Sequence, residues 1–314
     1  MIDASNIRTV RVEFENTLCP QCCNAESLPV YSFEDEFGVY AIVRCTRCQL
    51  SYLNPRPTSS TIGRYYEAAQ YTPFLSSGNQ PSLFNRIYSI VRNYSIGWKR
   101  KRIGYFKKRG SVLDIGCGTG EFLLEMKSHG WTAAGLEPSN EASQFARNTY
   151  LLDVQTGSIN EENLKQLDGP FDVITMWHVL EHVHLPVNAL TMLRQHLSED
   201  GLLLIALPNI SSFDARVYKR DWVALDVPRH LLHFTPESLE PLLAKSGMEI
   251  IKQHQMPLDT IFNSMMSEKK IIDRNSWFAI PFLMTRMIVT TLVSWIIGVK
   301  RNKGSSILYY VRKN

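Results

Sequence analysis

The chain has 314 residues, 44% of them hydrophobic and 20% charged, values of an ordinary globular protein with room for one large domain and one small one. A net charge of +4 is too small for the total alone to mark a nucleic-acid binder, so partners must be argued from where the charges sit. Met1 to Leu18 mixes acids and bases without an apolar run, which fits neither a secretory leader nor an acid-free transit peptide and predicts a cytoplasmic protein.

Cys19-Pro-Gln-Cys22 and Cys45-Thr-Arg-Cys48 form two Cys-x-x-Cys pairs, the second following a β-branched strand candidate, Val39–Val43. In a reducing compartment such pairs are metal ligands more often than disulfides. Two knuckles place four thiolates around one structural Zn²⁺, and so short a segment with few large apolar side chains needs that staple. The spacing predicts a zinc ribbon over 1–57 with Cys19, Cys22, Cys45 and Cys48 as ligands; Cys23 is an alternative to Cys22. The prolines of Asn54-Pro-Arg-Pro57 predict a linker at its end.

A linker and basic helical region is expected over 58–110. No acidic residue occurs from Ala68 to Leu113, whereas nine Lys and Arg accumulate from Arg86 to Arg109 among Ile87, Val91, Ile96 and Trp98. Three readings stay open for this amphipathic helix: a solvated cationic face, a surface for phosphate groups, or an RNA contact.

Next come a strand, Ser111–Ile115, a glycine turn, Gly116-Cys-Gly-Thr-Gly120, and an amphipathic helix from Glu121 to His129. Glycines allow a ligand to approach the backbone where a β-carbon would collide. A second strand, Thr132–Leu136, ends in Glu137, placed to accept both hydroxyl hydrogens of a ribose. Glu121 stands where a dinucleotide fingerprint wants its third glycine, an anion beside a pyrophosphate, and so disfavours NAD. S-adenosylmethionine carries a sulfonium and no phosphate, and tolerates such acids.

Val112 to Gly120 with Glu137 resembles motifs I and II of class I S-adenosylmethionine-dependent methyltransferases. The cysteine pairs, Leu180-Glu-His-Val183, Leu207-Pro-Asn209 and Pro228-Arg-His-Leu-Leu-His-Phe234 are similar to the zinc-ribbon-bearing branch that includes sugar and quinone methyltransferases. The resemblance covers residues 19 to about 255. It implies an α/β, Rossmann-like fold with a seven-stranded sheet over 111–314. It also implies a cofactor site at Asp114, Gly116, Cys117, Gly118, Gly120, Glu137 and Pro138. Ser158 and Ile159 occupy the family's adenine-contacting position, with Ser in place of the usual Asp.

The strand Phe171–Trp177 should deliver Trp177 and His178 to the cofactor, and Glu181 and His182 to the cleft. The quinone O-methyltransferases it resembles hold a divalent cation with Glu-x-x-Glu-His; here His178 replaces the first Glu. Capping and hydrogen bonding within the fold is the other reading of Glu181 and His182. His230 is the expected proton-removing base, with His182 and Arg229 completing the catalytic set. Sugar C-methyltransferases carry Glu where Arg229 stands, which favours O-methylation and an anionic substrate group on Arg229. No Asn/Asp-Pro-Pro-aromatic sequence follows the fourth strand, which argues against base N-methylation and nucleic acid as partner.

Trp277–Val299 is apolar with Arg286 its one charge, long enough to span a bilayer. Met248–Gln255 and Ser306–Arg312 read as the last two sheet strands, and a single crossing between them would separate them. The 275–300 insertion is therefore expected to form a helical hairpin, lying on an anionic membrane surface or buried in a homodimer. The favoured expectation is an O-methyltransferase for a sugar, glycolipid, polysaccharide-precursor or quinone-like acceptor, small or lipid-linked, at the cytosolic membrane face. A ribosomal-RNA methyltransferase and a non-catalytic cofactor-binding membrane scaffold are the rivals.

Overall fold

A computed structural model describes residues 12–67, 83–272, 280–301 and 303–314. The N-terminal strands are β1 (Phe14–Glu15), β2 (Ser27–Glu34), β3 (Val39–Cys45), β4 (Ser51–Leu53) and β5 (Arg56–Pro57), followed by the short α1 (Arg64–Glu67) and the long α2 (Leu83–Gly104). Then come β6 (Ser111–Ile115), α3 (Glu121–Ser128), β7 (Thr132–Glu137), α4 (Asn140–Tyr150), β8 (Asp153–Thr156), α5 (Glu161–Lys165), β9 (Phe171–Trp177), α6 (Pro186–His196) and β10 (Leu197–Pro208). The chain closes with α7 (Phe213–Tyr218), β11 (Leu232–His233), α8 (Pro236–Lys245), β12 (Met248–Gln255), α9 (Pro257–Ile272), α10 (Ile280–Arg301) and β13 (Ser306–Lys313).

Seven strands form one sheet in the order β12-β13-β10-β9-β6-β7-β8. β13 runs antiparallel to both of its neighbours and the other pairings are parallel. Helices cover both faces, so central strands read as continuous apolar runs, as in Val173, Ile174 and Met176 of β9, all fully buried. Strand order reverses between β6 and β9, and the crevice at their C-terminal ends is where open α/β sheets bind ligands.

β2, β3 and β4 form a second, antiparallel sheet that β11 completes, with Leu232 opposite Tyr52 and His233 opposite Ser51. A strand contributed by residues 232–233 thus anchors the sheet of residues 27–53 beside His230. Ile42 and Leu53 share one core with Trp222, Leu231 and Phe234. The expected linker at 54–57 is instead ordered: β5 pairs with β1, and buried Arg56 donates to Glu15 at 2.8 Å and to the His184 carbonyl at 2.9 Å. Proline tolerates this because a two-residue edge strand needs few amide donors.

The α9–α10 pair is inside out. The sheltered face of α9 carries Thr260, Asn263, Ser264, Ser267 and Glu268, while Ile261, Phe262 and Met265 are exposed. On α10, Thr290 and Ser294 are buried, and Phe282, Ile288, Val289, Leu292, Trp295, Ile296 and Val299 are exposed. A polar network holds the inner faces: Arg286 donates twice to Glu268, at 2.7 and 2.8 Å, and buried Asp214 accepts from Ser294, Ser305 and the Trp222 indole. Because β12 and β13 are paired neighbours, the chain leaves and re-enters the sheet on one side, as a hairpin requires. Pro281–Arg301 is the one helix among the described residues long and apolar enough to cross a membrane. Arg274 and the start of the apolar run, 277–279, lie outside the described residues.

Candidate active site

The turn after β6 bends through left-handed backbone at Gly116 (φ +68°) and Gly118 (φ +55°). A β-carbon at Gly116 would meet Val179 Cγ2 at 2.7 Å. At Gly118 it would meet nothing within 4 Å, so that turn faces open space. Glu137, at the tip of β7, accepts from the Gly118 amide and the Ser139 amide at 2.8 Å each. Cys117 is buried behind the turn, Gly120 caps α3, and Pro138 is exposed beside Glu137. Ser158 is exposed and Ile159 half-buried in the loop after β8.

The floor of the cleft is acidic and partly desolvated. Asp114 is buried, accepts from the Thr175 hydroxyl at 2.5 Å, and is pushed up to about 7 by burial. Burial also raises Glu137, against the amides that hold it. Lys99 of α2 reaches over the Trp177 ring at 4.5 Å, its ammonium destabilised by burial and favoured by Asp114 and Asp259. The Trp177 indole nitrogen is buried with no partner among the described residues, an orphan donor that calls for a ligand. Open glycine backbone, that orphan donor and two carboxylates fit a cationic nucleoside such as S-adenosylmethionine.

Beyond β9, His178 adopts left-handed backbone (φ +58°) and is clamped between carboxylates, Nδ1 at 3.3 Å from Glu181 and Nε2 at 3.0 Å from Asp259. Burial alone would lower this imidazole, but the two carboxylates raise it to about 10. His178, expected at the cofactor, therefore has both ring nitrogens committed to acids. Glu181 is buried, held in its charged form by His178 against the cost of burial, and among the described residues its Oε2 has no partner.

His182 and His230 complete this cluster. His182 Nδ1 donates to the Arg229 carbonyl at 3.0 Å and lies 3.0 Å from the Tyr66 hydroxyl; burial and His230 push it down to about 4. His230 Nδ1 donates to the Ala224 carbonyl at 2.9 Å, and its Nε2 is 3.8 Å from Asp226. Arg229 pairs with Asp226. Glu181, His182 and His230 each bring one carboxylate oxygen or ring nitrogen within 4.8 Å of the others, a set that can take up a proton or hold a cation. Glu181 and His182 sit in a 3-10 turn, Leu180–His182, and do not cap α6, which begins at Pro186.

Cys19, Cys22, Cys45 and Cys48 bring their sulfurs within 4.8 Å of one another, with Cys19–Cys48 at 3.4 Å and Cys22–Cys45 at 3.5 Å. Tetrahedral thiolates on zinc stand about 3.8 Å apart, so the donor set fits that ion. Burial raises Cys45, but the Cys48 and Arg47 amides and neighbouring thiols bring it down to about 6. Cys23 is exposed and outside the cluster.

The sequence reading missed Lys99, Asp226, Asp259 and Tyr66. Asp226 was legible, since Asp-x-x-Arg-His places it one turn before His230. Asp259 and Tyr66 approach from elements distant in sequence, and no local pattern marks them.

A family model described as a methyltransferase domain matches residues 90–253. The chain is 33% identical over 116 residues to an uncharacterised methyltransferase of Staphylococcus carnosus, covering 36% of this chain and 53% of that protein. It is 26% identical over 173 residues to a ubiquinone biosynthesis O-methyltransferase of Cereibacter sphaeroides, covering 52% of this chain and 68% of that one. A solved S-adenosylmethionine-dependent methyltransferase from Archaeoglobus fulgidus shares 20% identity, with TM-score 0.45 over 71% of this chain and 94% of that one. With the family match spanning more than half its length, and the glycine turn, acidic strand tip and seven-stranded sheet in place, the chain belongs to the class I S-adenosylmethionine-dependent methyltransferases.

Proposed function

We propose that the chain methylates a hydroxyl oxygen of a small quinol-like or sugar-like acceptor presented at a membrane face. The observation that carries the reading is His230. Its Nδ1–H is spent on the Ala224 carbonyl, which fixes the tautomer and leaves Nε2 as the basic nitrogen. That nitrogen can accept the acceptor's hydroxyl proton, and Asp226 and ionised Glu181 stabilise the imidazolium that forms. His182, with its Nδ1 also committed to a carbonyl, stays neutral and presents a second basic nitrogen. Arg229, paired with Asp226, enters the site as half of an ion pair and positions that carboxylate.

S-adenosylmethionine supplies an electrophilic methyl group when bound; Asp114, Glu137, the Gly116–Gly120 turn, Trp177 and Lys99 would hold it. The relatives named for ubiquinone biosynthesis favour a phenolic acceptor oxygen. The inside-out hairpin favours a membrane face, because exposed apolar side chains over buried Thr, Ser and Asn are the packing logic of lipid-facing helices. Asp259, in the first turn of α9, bonds His178, which bonds Glu181, so the hairpin is tied directly to the acceptor cluster. We also propose Zn²⁺ at the four thiolates as a structural ion.

The test is labelled S-adenosylmethionine supplied with a membrane lipid extract, nucleotide sugars and an RNA pool in parallel. Label in a base-stable ether of the lipid fraction is the expected result; label confined to RNA, or in no fraction, overturns the reading.

A further inference from the structure

Away from the cofactor cleft lies a cavity of about 440 Å³ lined by Arg44, Arg216, Arg301 and Lys303, with Ser211, Glu237, Ile210 and Ile297. Its cations come from four separate places: β3, α7, the last turn of α10, and the segment leading into β13. Glu237 is the one acid, and it is engaged by Lys303 at 3.1 Å. Among the described residues Arg44, Arg216 and Arg301 have no carboxylate partner. Three guanidinium groups around one hollow repel each other, and a planar fork of donors matches phosphate oxygens better than it matches water.

Two placements narrow the ligand. Ile210 and Ser211 follow the C-terminal end of β10, the same sheet edge that carries the cofactor turn. Ile297 and Arg301 close the last turns of α10, whose exposed Trp295, Ile296 and Val299 run up to the rim. A charged hollow thus ends an apolar helix face that is exposed among the described residues, the arrangement of a headgroup above an acyl chain. Arg44 directly precedes the zinc-type knuckle at Cys45, so the thiolate cluster fixes one wall.

We propose that this hollow binds the phosphate or diphosphate group of a membrane lipid and so holds the enzyme, or a lipid-linked acceptor, at the bilayer surface. The source of the phosphate rests on the membrane-face reading above; the anion site itself does not. The probes are pyrophosphate in calorimetry, and flotation with phosphatidylcholine vesicles with and without phosphatidylglycerol. They are applied to the full chain and to Arg216→Ala and Arg301→Ala, with S-adenosylmethionine affinity as the check on folding. Wild type should bind pyrophosphate and prefer the anionic vesicles, and each variant should lose at least about tenfold on both. Pyrophosphate binding lost in the variants without flotation of any protein supports the anion site and removes the membrane as its source. No pyrophosphate binding, with variants that float like wild type, overturns the site and leaves the membrane-face reading standing.

Discussion

The imidazoles of His182 and His230 meet edge to face with ring centroids 4.6 Å apart. Each spends Nδ1–H on a backbone carbonyl, Arg229's and Ala224's respectively. Two carbonyls thereby fix two tautomers, and one ligand atom of each ring lies within 4.8 Å of the buried carboxylate of Glu181, which His178 keeps ionised against the cost of burial. Pushed down to about 4, His182 stays neutral, and His230 is the base proposed for the acceptor's proton.

From that arrangement, His230→Ala should lower kcat by at least about a hundredfold, the usual weight of a positioned base. S-adenosylmethionine affinity should stay within about twofold of the parent. His182→Ala should cost less. Turnover of His230→Ala at the parent rate, with calorimetry confirming cofactor uptake, would strike His230 from the mechanism.

Glu137 is the proposed ribose ligand. Its oxygens accept from the Gly118 and Ser139 amides, which leaves lone pairs for the ribose it is proposed to hold. Glu137→Ala should weaken S-adenosylmethionine by about a hundredfold, as expected for two hydrogen bonds to an ionised group. Glu137→Gln should lose less. Equal affinity in all three proteins by calorimetry would place the ribose elsewhere.

Local pattern made the cofactor half of the site legible, because a glycine turn between strand and helix and an acid at the next strand tip are short-range signals. The thiol cluster was legible for the same reason: each knuckle is four residues long. What the sequence hid is tertiary. β11 is only Leu232–His233, too short to show a period, yet it completes the N-terminal sheet. Lys99 and Asp259 reach the cleft from helices whose patterns describe only their own faces. The apolar 277–299 run announced burial or lipid, but the inversion over a polar inner face along 282–299 appears only when the α9 contacts are known.

His178 makes a pH prediction. Its pKa is raised from 6.5 to about 10 by Asp259 and Glu181. A raised imidazole contributes stability that is complete below the unfolded value and fades as pH climbs through the folded one. The loss therefore falls between pH 6.5 and about 10. Asp259→Asn should lower Tm most at the acid end of that window and flatten its alkaline decline. Parallel Tm curves for the two proteins would mean that the pair adds nothing to folding.

Removing the proposed Zn²⁺ should disturb more than the ribbon. Thiolate-bound zinc is folding free energy for a small module, and here that module shares a sheet with the strand following His230. Chelation, or Cys45→Ser, should lower Tm and reduce turnover together. Metal analysis should find one zinc per chain in the parent and less than about a tenth of that in the variant. A parent that is zinc-free and fully active would show that four clustered thiols suffice.

The hairpin separates two effects that usually travel together. Leu292 and Trp295 face outward on α10, so Leu292→Glu with Trp295→Glu should leave Tm within about 2 °C, as surface changes do. The same double change should reduce vesicle flotation by about tenfold or more, since it trades buried apolar area for charge. Ser294 faces inward and donates to Asp214, so Ser294→Leu should do the reverse. It leaves a buried carboxylate short of a donor, costs about 1–3 kcal/mol of stability, and spares vesicle binding in whatever protein still folds. In an ordinary amphipathic helix apolar residues face the core, and outward Glu would be harmless while inward Leu would be welcome. If the outer pair of glutamates unfolds the chain and Ser294→Leu leaves its stability unchanged, the hairpin packs the ordinary way round and no lipid is needed to cover it.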